Sequence, residues 1–146
     1  MVRLTQHYKL AHIIVVDDMT AKSAILKSIF EKSAMPGMKI TVTSRDNFVE
    51  PVKAAVADSV STMVVFRFPP YALTIFEKVP ELPKSLMVGP VQIKDNGKEV
   101  NTGTFVSAEY ADNFRKLAEE MGIDVYFQIT PEQRRYEWAD IKKKLG

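Results

Sequence analysis

Apolar positions along the chain switch between two spacings: short unbroken or alternating runs, and a repeat every three to four residues. The first clear run is Ile13-Ile14-Val15-Val16, which leads straight into Asp17 and Asp18. It leaves no room for a polar face, so it predicts a strand over 13–18 covered on both sides. Before it, Val2, Leu4, Tyr8, Leu10 and Ala11 make a loose helical pattern. After it, Thr20 can cap a helix whose buried face is Ala24, Ile25, Leu26, Ile29 and Phe30, ended by Met35-Pro36-Gly37. Residues 39–43 alternate and are rich in β-branched side chains, as a second strand requires. Ser44 or Asp46 can cap a helix over 48–57, with Pro51 tolerated in its first turn. A third strand spans 61–68 with Arg67 at its exit, and Pro69-Pro70 opens a helix through Tyr71, Leu73, Ile75, Phe76 and Val79. Residues 85–89 form a short apolar strand stopped by Gly89-Pro90. Residues 91–106 read as an antiparallel excursion with its turn at Asp95-Asn96-Gly97. Ser107 caps a helix carrying Phe114, Leu117, Ala118 and Met121, which Gly122 closes. A strand over 123–129 follows. Thr130-Pro131-Glu132 then opens a terminal helix with Tyr136, Trp138, Ile141 and Leu145.

Strands alternating with helices at this spacing predict βαβ units. The expected fold class is α/β: three layers, α/β/α, around a mostly parallel Rossmann-like sheet, with a small antiparallel excursion. Right-handed crossovers place helices on both faces. The chain of 146 residues fits a single domain. Hydrophobic residues at 46% and charged ones at 26% belong to a globular chain, not a disordered one. Twenty Lys and Arg against 18 Asp and Glu give a net charge of +2, which offers no footprint for nucleic acid. The cationic tail, Arg134, Arg135 and Lys142 to Lys144, reads as a solvated helix end. The absence of cysteine removes thiol chemistry and fits a reducing cytoplasm, and neither a signal peptide nor an apolar membrane span is visible.

No catalytic signature stands out by spacing, and no metal site or cofactor is expected. Asp17 and Asp18 sit where open α/β sheets place their ligand sites, at a strand's carboxyl end. They can hold a cation or accept protons, and equally one of them can simply cap the following helix. Arg67 falls at the same edge, where it can clamp a phosphate or pair with Asp18. His7 and His12 are the only histidines. Ordinary surface or packing roles outweigh catalytic ones for both, because nothing nucleophilic is arranged around them.

These pieces in order resemble one family. They are Ile13 to Asp18 before a short helix, Met35-Pro36-Gly37-Met38-Lys39-Ile40-Thr41-Val42, a strand ending in a base before Pro69, Met87-Val88-Gly89, and Phe105-Val106-Ser107-Ala108-Glu109. Their order is similar to that of the IIB component of the mannose/fructose/sorbose class of the bacterial phosphotransferase system, over residues 5–141. No single motif is specific; the shared order is. The resemblance implies a cytosolic α/β protein, peripherally associated with the membrane permease. It would receive a phosphoryl group from the IIA component on a histidine and pass it to a sugar carried by the IIC and IID permease components. It further implies that Asp17, Asp18, Arg67 and Gly89 mark the edge of the phosphoryl site. Homo-oligomerisation is left open.

One feature departs from the family. Its accepting histidine lies in a loop after the first strand, in a sequence like Asp-Asp-Arg-Leu-Ile-His-Gly-Gln, ahead of the helix that precedes Ile13 to Asp18. His7 falls inside that helix and His12 abuts the strand, so neither matches. The expectation is therefore a IIB-like domain over 1–146, N-terminally incomplete relative to the family, with no catalytic residue of its own and inactive in transfer. A truncated reading of a longer gene is favoured over an engineered fragment or an inactive paralogue. The alternative function is a non-catalytic module that binds the IIA component or the permease. Against the family's pattern, Pro90 follows Gly89 and removes a backbone donor, so the phosphate contacts that the resemblance implies there are expected to be disturbed.

Overall fold

The computed structural model describes residues 10–58, 61–89, 97–101, 104–129 and 132–145. The chain divides into two compact units, Met1–Leu82 and Pro83–Gly146.

In the first unit, β1 (His12–Val16), β2 (Lys39–Thr43) and β3 (Thr62–Val65) form a parallel sheet in the order β2-β1-β3. Ile13 lies opposite Ile40 and Met63, and Val15 opposite Val42 and Val65. As the unbroken apolar run requires, both faces of β1 are covered. Ile14 and Val16 join Phe48, Val52, Tyr71, Ile75 and Val79 beneath the helices α3 (Val49–Ala57) and α4 (Pro69–Lys78). Ile13 and Val15 join Ile40 and Val42, with Leu10, Ala21, Ala34, Met38 and Val65 packed against them.

The strand predicted to run to Asp18 stops at Val16, because Asp17 turns the chain into α1 (Asp18–Lys22) and caps it. Thr20 is consequently inside a helix, and Ser23 caps the next one, α2 (Ala24–Lys32), by accepting from the Leu26 N–H. The expected buried face of α2 is not buried. Ile25 is 74% exposed, Ile29 58%, Leu26 44% and Phe30 40%, and the helix has no buried residue. Amphipathic spacing shows that a stripe exists and not what covers it. Ser44 and Asp46 do not cap α3 either. Ser44 to Asn47 close on themselves as a turn, and the N-cap position falls to the fully buried Phe48. β3 is shorter than its apolar run and only half-buried. The helical pattern over 2–11 lies outside the described residues up to Lys9, and Leu10 and Ala11 are not helical.

In the second unit, β4 (Ser85–Val88) pairs in parallel with β7 (Asp124–Phe127), and β7 pairs antiparallel with β8 (Tyr136–Glu137). β5 (Gly97–Asn101) and β6 (Thr104–Ser107) form an antiparallel ribbon. Asp95 and Asn96 of the predicted turn lie outside the described residues. Gly97 is already paired opposite Ser107 at the start of β5, and the pairing runs on to Asn101 opposite Thr104. Ser107 caps α5 (Ala108–Arg115) as expected, its hydroxyl accepting from the Tyr110 N–H, and the helix continues through a π-type turn over Lys116–Glu120. The terminal helix α6 begins at Trp138 and runs to Leu145. Tyr136, predicted within it, instead pairs with Phe127, while Thr130 and Pro131 lie outside the described residues. A two-residue strand is too short to leave a period in the sequence. The core here is Phe114, Leu117, Val125, Phe127, Trp138 and Ile141, with Phe114 edge-on to Phe127 at 5.3 Å.

Gly122 leaves the helical segment with φ +70°, and a Cβ there would meet nothing within 4 Å. Gly122→Ala therefore isolates backbone strain from packing. It is expected to lower stability by about 1 kcal/mol in a urea titration, with an unchanged m-value.

Candidate functional site at the carboxyl edge of the first sheet

The strand order β2-β1-β3 places three strand ends side by side, and each carries charge two residues beyond its last paired residue. Arg45 follows β2, Asp18 follows β1 with Asp17 before it, and Arg67 follows β3. The edge therefore reads base, acid pair, base.

Asp17 is 2% exposed. Its N–H still pairs with the Thr43 carbonyl of β2, at 2.9 Å, which fixes the backbone before the side chain acts. The carboxylate accepts from the Thr20 hydroxyl at 2.6 Å and the Thr20 N–H at 3.1 Å, capping α1. Its other partner is Arg67. Nη2 donates to both oxygens, at 2.9 and 3.1 Å, and Nε donates at 3.3 Å. Burial pushes the Asp17 pKa up, but the Thr20 hydroxyl, Arg67 and the Thr20 N–H together outweigh it and hold the group below its ordinary range. The carboxylate is therefore ionised at neutral pH.

Asp18 turns the other way. Its Oδ1 accepts from the Arg45 N–H at 2.8 Å and its Oδ2 from Arg45 Nε at 2.9 Å. The Arg45 N–H, partly offset by burial and reinforced by the guanidinium, lowers the Asp18 pKa, and Asp18 raises that of Arg45 in turn. The Arg45 guanidinium also lies over the Tyr71 ring at 4.5 Å.

The structure brings Asp17, Asp18 and Arg67 together, as the sequence expected, and corrects the pairing. Arg67 binds Asp17, not Asp18, and the same Asp17 is also the helix cap, so this carboxylate both caps α1 and holds a cationic side chain. Arg45 was missed. An exposed base after a strand has no distinguishing mark until the strand order is known to put β2 and β3 on either side of β1. Both guanidiniums remain reachable, with side chains 57% exposed for Arg67 and 48% for Arg45.

Gly89 belongs to the second unit, one residue past β4, where its carbonyl accepts from the Thr104 hydroxyl at 3.5 Å. A Cβ there would meet nothing within 4 Å, so local packing does not demand glycine. His12 opens β1 at its amino end, with Nε2 2.8 Å from Thr41 Oγ1. Burial first, then Lys39, lowers its pKa, so it is neutral at pH 7. His7 lies outside the described residues. In the tail, Arg135 is engaged by Asp124 and Glu137, Lys142 by Glu119, and Lys144 by the Val100 carbonyl. Among the described residues no cluster of His, Asp or Glu could hold a metal ion, and no helix is long and apolar enough to cross a membrane.

Fold and edge define the class: an α/β protein with parallel strands and a charged site at their carboxyl ends. The family follows from comparison with known proteins. The chain matches the family described as PTS system sorbose subfamily IIB component over residues 1–146, and it belongs to that family. No match was found among curated proteins. Among solved structures it is similar to the IIBSor domain of the sorbose permease from Klebsiella pneumoniae, with 15% identity and TM-score 0.84, covering 99% of this chain and 88% of that one. It is also similar to manxB from Thermoanaerobacter tengcongensis, with 23% identity and TM-score 0.78, covering 99% and 86%. A third is an N-acetyl-galactosamine IIB component from Streptococcus pyogenes, with 14% identity and TM-score 0.85, covering 94% and 86%. At such identities these structures speak for the fold. Family membership supports a phosphotransfer-relay role in sugar uptake, and it implies interaction with the IIA component and the membrane permease.

Proposed function

We propose that the chain is of the type that fills the IIB place in the phosphoryl relay of sugar uptake, that neither of its two histidines carries the phosphoryl group, and that it is therefore inactive in transfer. The observation that carries the first half is the family match along the whole chain. The second half is supported by the place of His12. It stands at the amino end of β1, five residues before Asp17, roughly 16 Å away along an extended strand. Its Nε2 is tied to Thr41, away from the acid pair and the two arginines of the edge. For His7 the support is the resemblance alone, which puts it within a helix and off the accepting loop.

In this reading Asp17, Asp18 and Arg67 wall the phosphoryl site. Asp17 does not touch the phosphoryl. It aims Arg67, whose half-exposed guanidinium would hold the anion's oxygens with the N–H groups that Asp17 does not engage. Gly89 is retained from the resemblance alone. The second reading is a non-catalytic module that binds the IIA component or the permease. It is favoured by both edge guanidiniums being already neutralised by carboxylates.

The test is to incubate the purified chain with labelled phosphoenolpyruvate, the general phosphocarriers and a IIA protein. The expected outcome is no label on His7 or His12, with IIA still captured by the chain at micromolar concentration. Phosphohistidine at either position overturns the proposal on the acceptor. Failure to bind both IIA and permease membranes overturns the place in the relay.

A further inference from the structure

The helix α2 carries an apolar stripe that nothing in the described chain covers. Ile25 with Ile29 and Leu26 with Phe30 are i,i+4 pairs, so the four side chains make one face, all of it at least 40% exposed. Met19, next to Asp18 on the preceding helix α1, is exposed too, at 69%. A contiguous apolar patch of this kind on a water-facing helix marks a contact surface.

The charges say what the contact is with. Lys27 neighbours Phe30 at i,i+3 and borders the stripe on one side. Lys32 neighbours Ile29 at i,i+3 and lies two turns beyond Ile25, bordering it on the other. Both are exposed. Glu31 projects from the back of the helix, where it meets Lys27 only at 4.0 Å. An apolar face with lysines at both margins and the acid behind is the layout of a helix lying flat in a membrane interface. There the lysine stems cover apolar surface while their ammonium groups reach the headgroup phosphates. A second copy of the chain fits less well, because it would set two lysines against two lysines around each stripe. A protein partner would find little area on a nine-residue helix about 13 Å long, against the ~800 Å² per side of a stable interface. A bilayer needs no matching shape. We propose that the α1–α2 face docks on an anionic lipid surface, which turns the carboxyl edge of β1 towards the membrane in which the permease sits. A weak affinity suffices, since permease and lipid engage the protein together.

Co-sedimentation of the full chain with vesicles tests this. Binding to vesicles of equal phosphatidylglycerol and phosphatidylcholine is expected at 50 mM salt, with little binding to phosphatidylcholine alone and loss of binding at 0.5 M salt. Lys27→Gln with Lys32→Gln should lower the partition coefficient roughly tenfold, and Ile25→Ser with Ile29→Ser by at least that. Lys53→Gln on α3 should change nothing. All these positions are exposed, so the variants keep their fold, which circular dichroism checks. The proposal is overturned by absence of binding to anionic vesicles, or by binding that the Ile25/Ile29 changes leave intact. It is also overturned by a dimer that Ile29→Ser dissolves, which would assign the face to a second copy. Binding only to vesicles that contain the permease would assign it to that protein, and would overturn the lipid proposal while leaving the relay intact.

Discussion

Phe48→Ala is expected to cost about 3–5 kcal/mol of folding stability, more than any substitution at the charged edge. Phe48 is fully buried and touches the core that joins β1 to α3 and α4, including Ile14, Val16, Val52, Tyr71 and Ile75. Truncation removes a ring from that centre, and strands and two helices cannot all close on the void. Ser44→Ala and Asp46→Ala should each cost less than about 0.5 kcal/mol, because neither side chain caps α3. The contrast, read from urea midpoints, separates two explanations of where α3 begins. If a polar cap started the helix, Ser44→Ala or Asp46→Ala would instead cost about 0.5–2 kcal/mol. The expected order says that the helix starts where the chain must turn to bury Phe48.

That case shows what the sequence made legible. Strand β2 at 39–43, the Pro69 start of α4, the Ser107 cap and the Gly122 exit were all readable, because each rests on chemistry within a few residues of itself. The edge was half readable. A carboxylate pair after an unbroken apolar run marks a strand end, and Arg67 before two prolines marks another. Which acid meets which base depends on strand order, a long-range fact. Hence Arg67 was set against Asp18 when it holds Asp17, and Arg45 went unseen. The stripe on α2 failed for the opposite reason. Its local pattern was read correctly, but a pattern that fits burial in a core fits an external contact equally well.

Asp17→Ala carries the second largest expected effect, about 2–4 kcal/mol, and it tests whether one carboxylate does two jobs. Removing it strips the cap from α1, worth roughly 0.5–2 kcal/mol, and leaves the buried Thr20 hydroxyl without its acceptor. The Arg67 pair adds less than a fully buried one would, since the guanidinium is more than half exposed and water can replace Asp17 around it. Asp17→Asn keeps an acceptor for the cap and loses only the charge, so it should cost clearly less. The pH profile distinguishes the two jobs. The folded-state pKa of Asp17 lies below its ordinary value of 3.8, so the unfolded chain takes up the proton first as pH falls. The Asp17 contribution is accordingly complete above about pH 4–5 and is lost as pH drops through the lowered folded value. Wild type should lose stability over that acid range more steeply than Asp17→Asn, and the two curves should converge once both carry a neutral group. Parallel curves would mean that the charge contributes nothing and that the cap alone holds α1. Arg67 would then be free of its partner's influence, and the carboxylate could not be what aims it at a phosphoryl group.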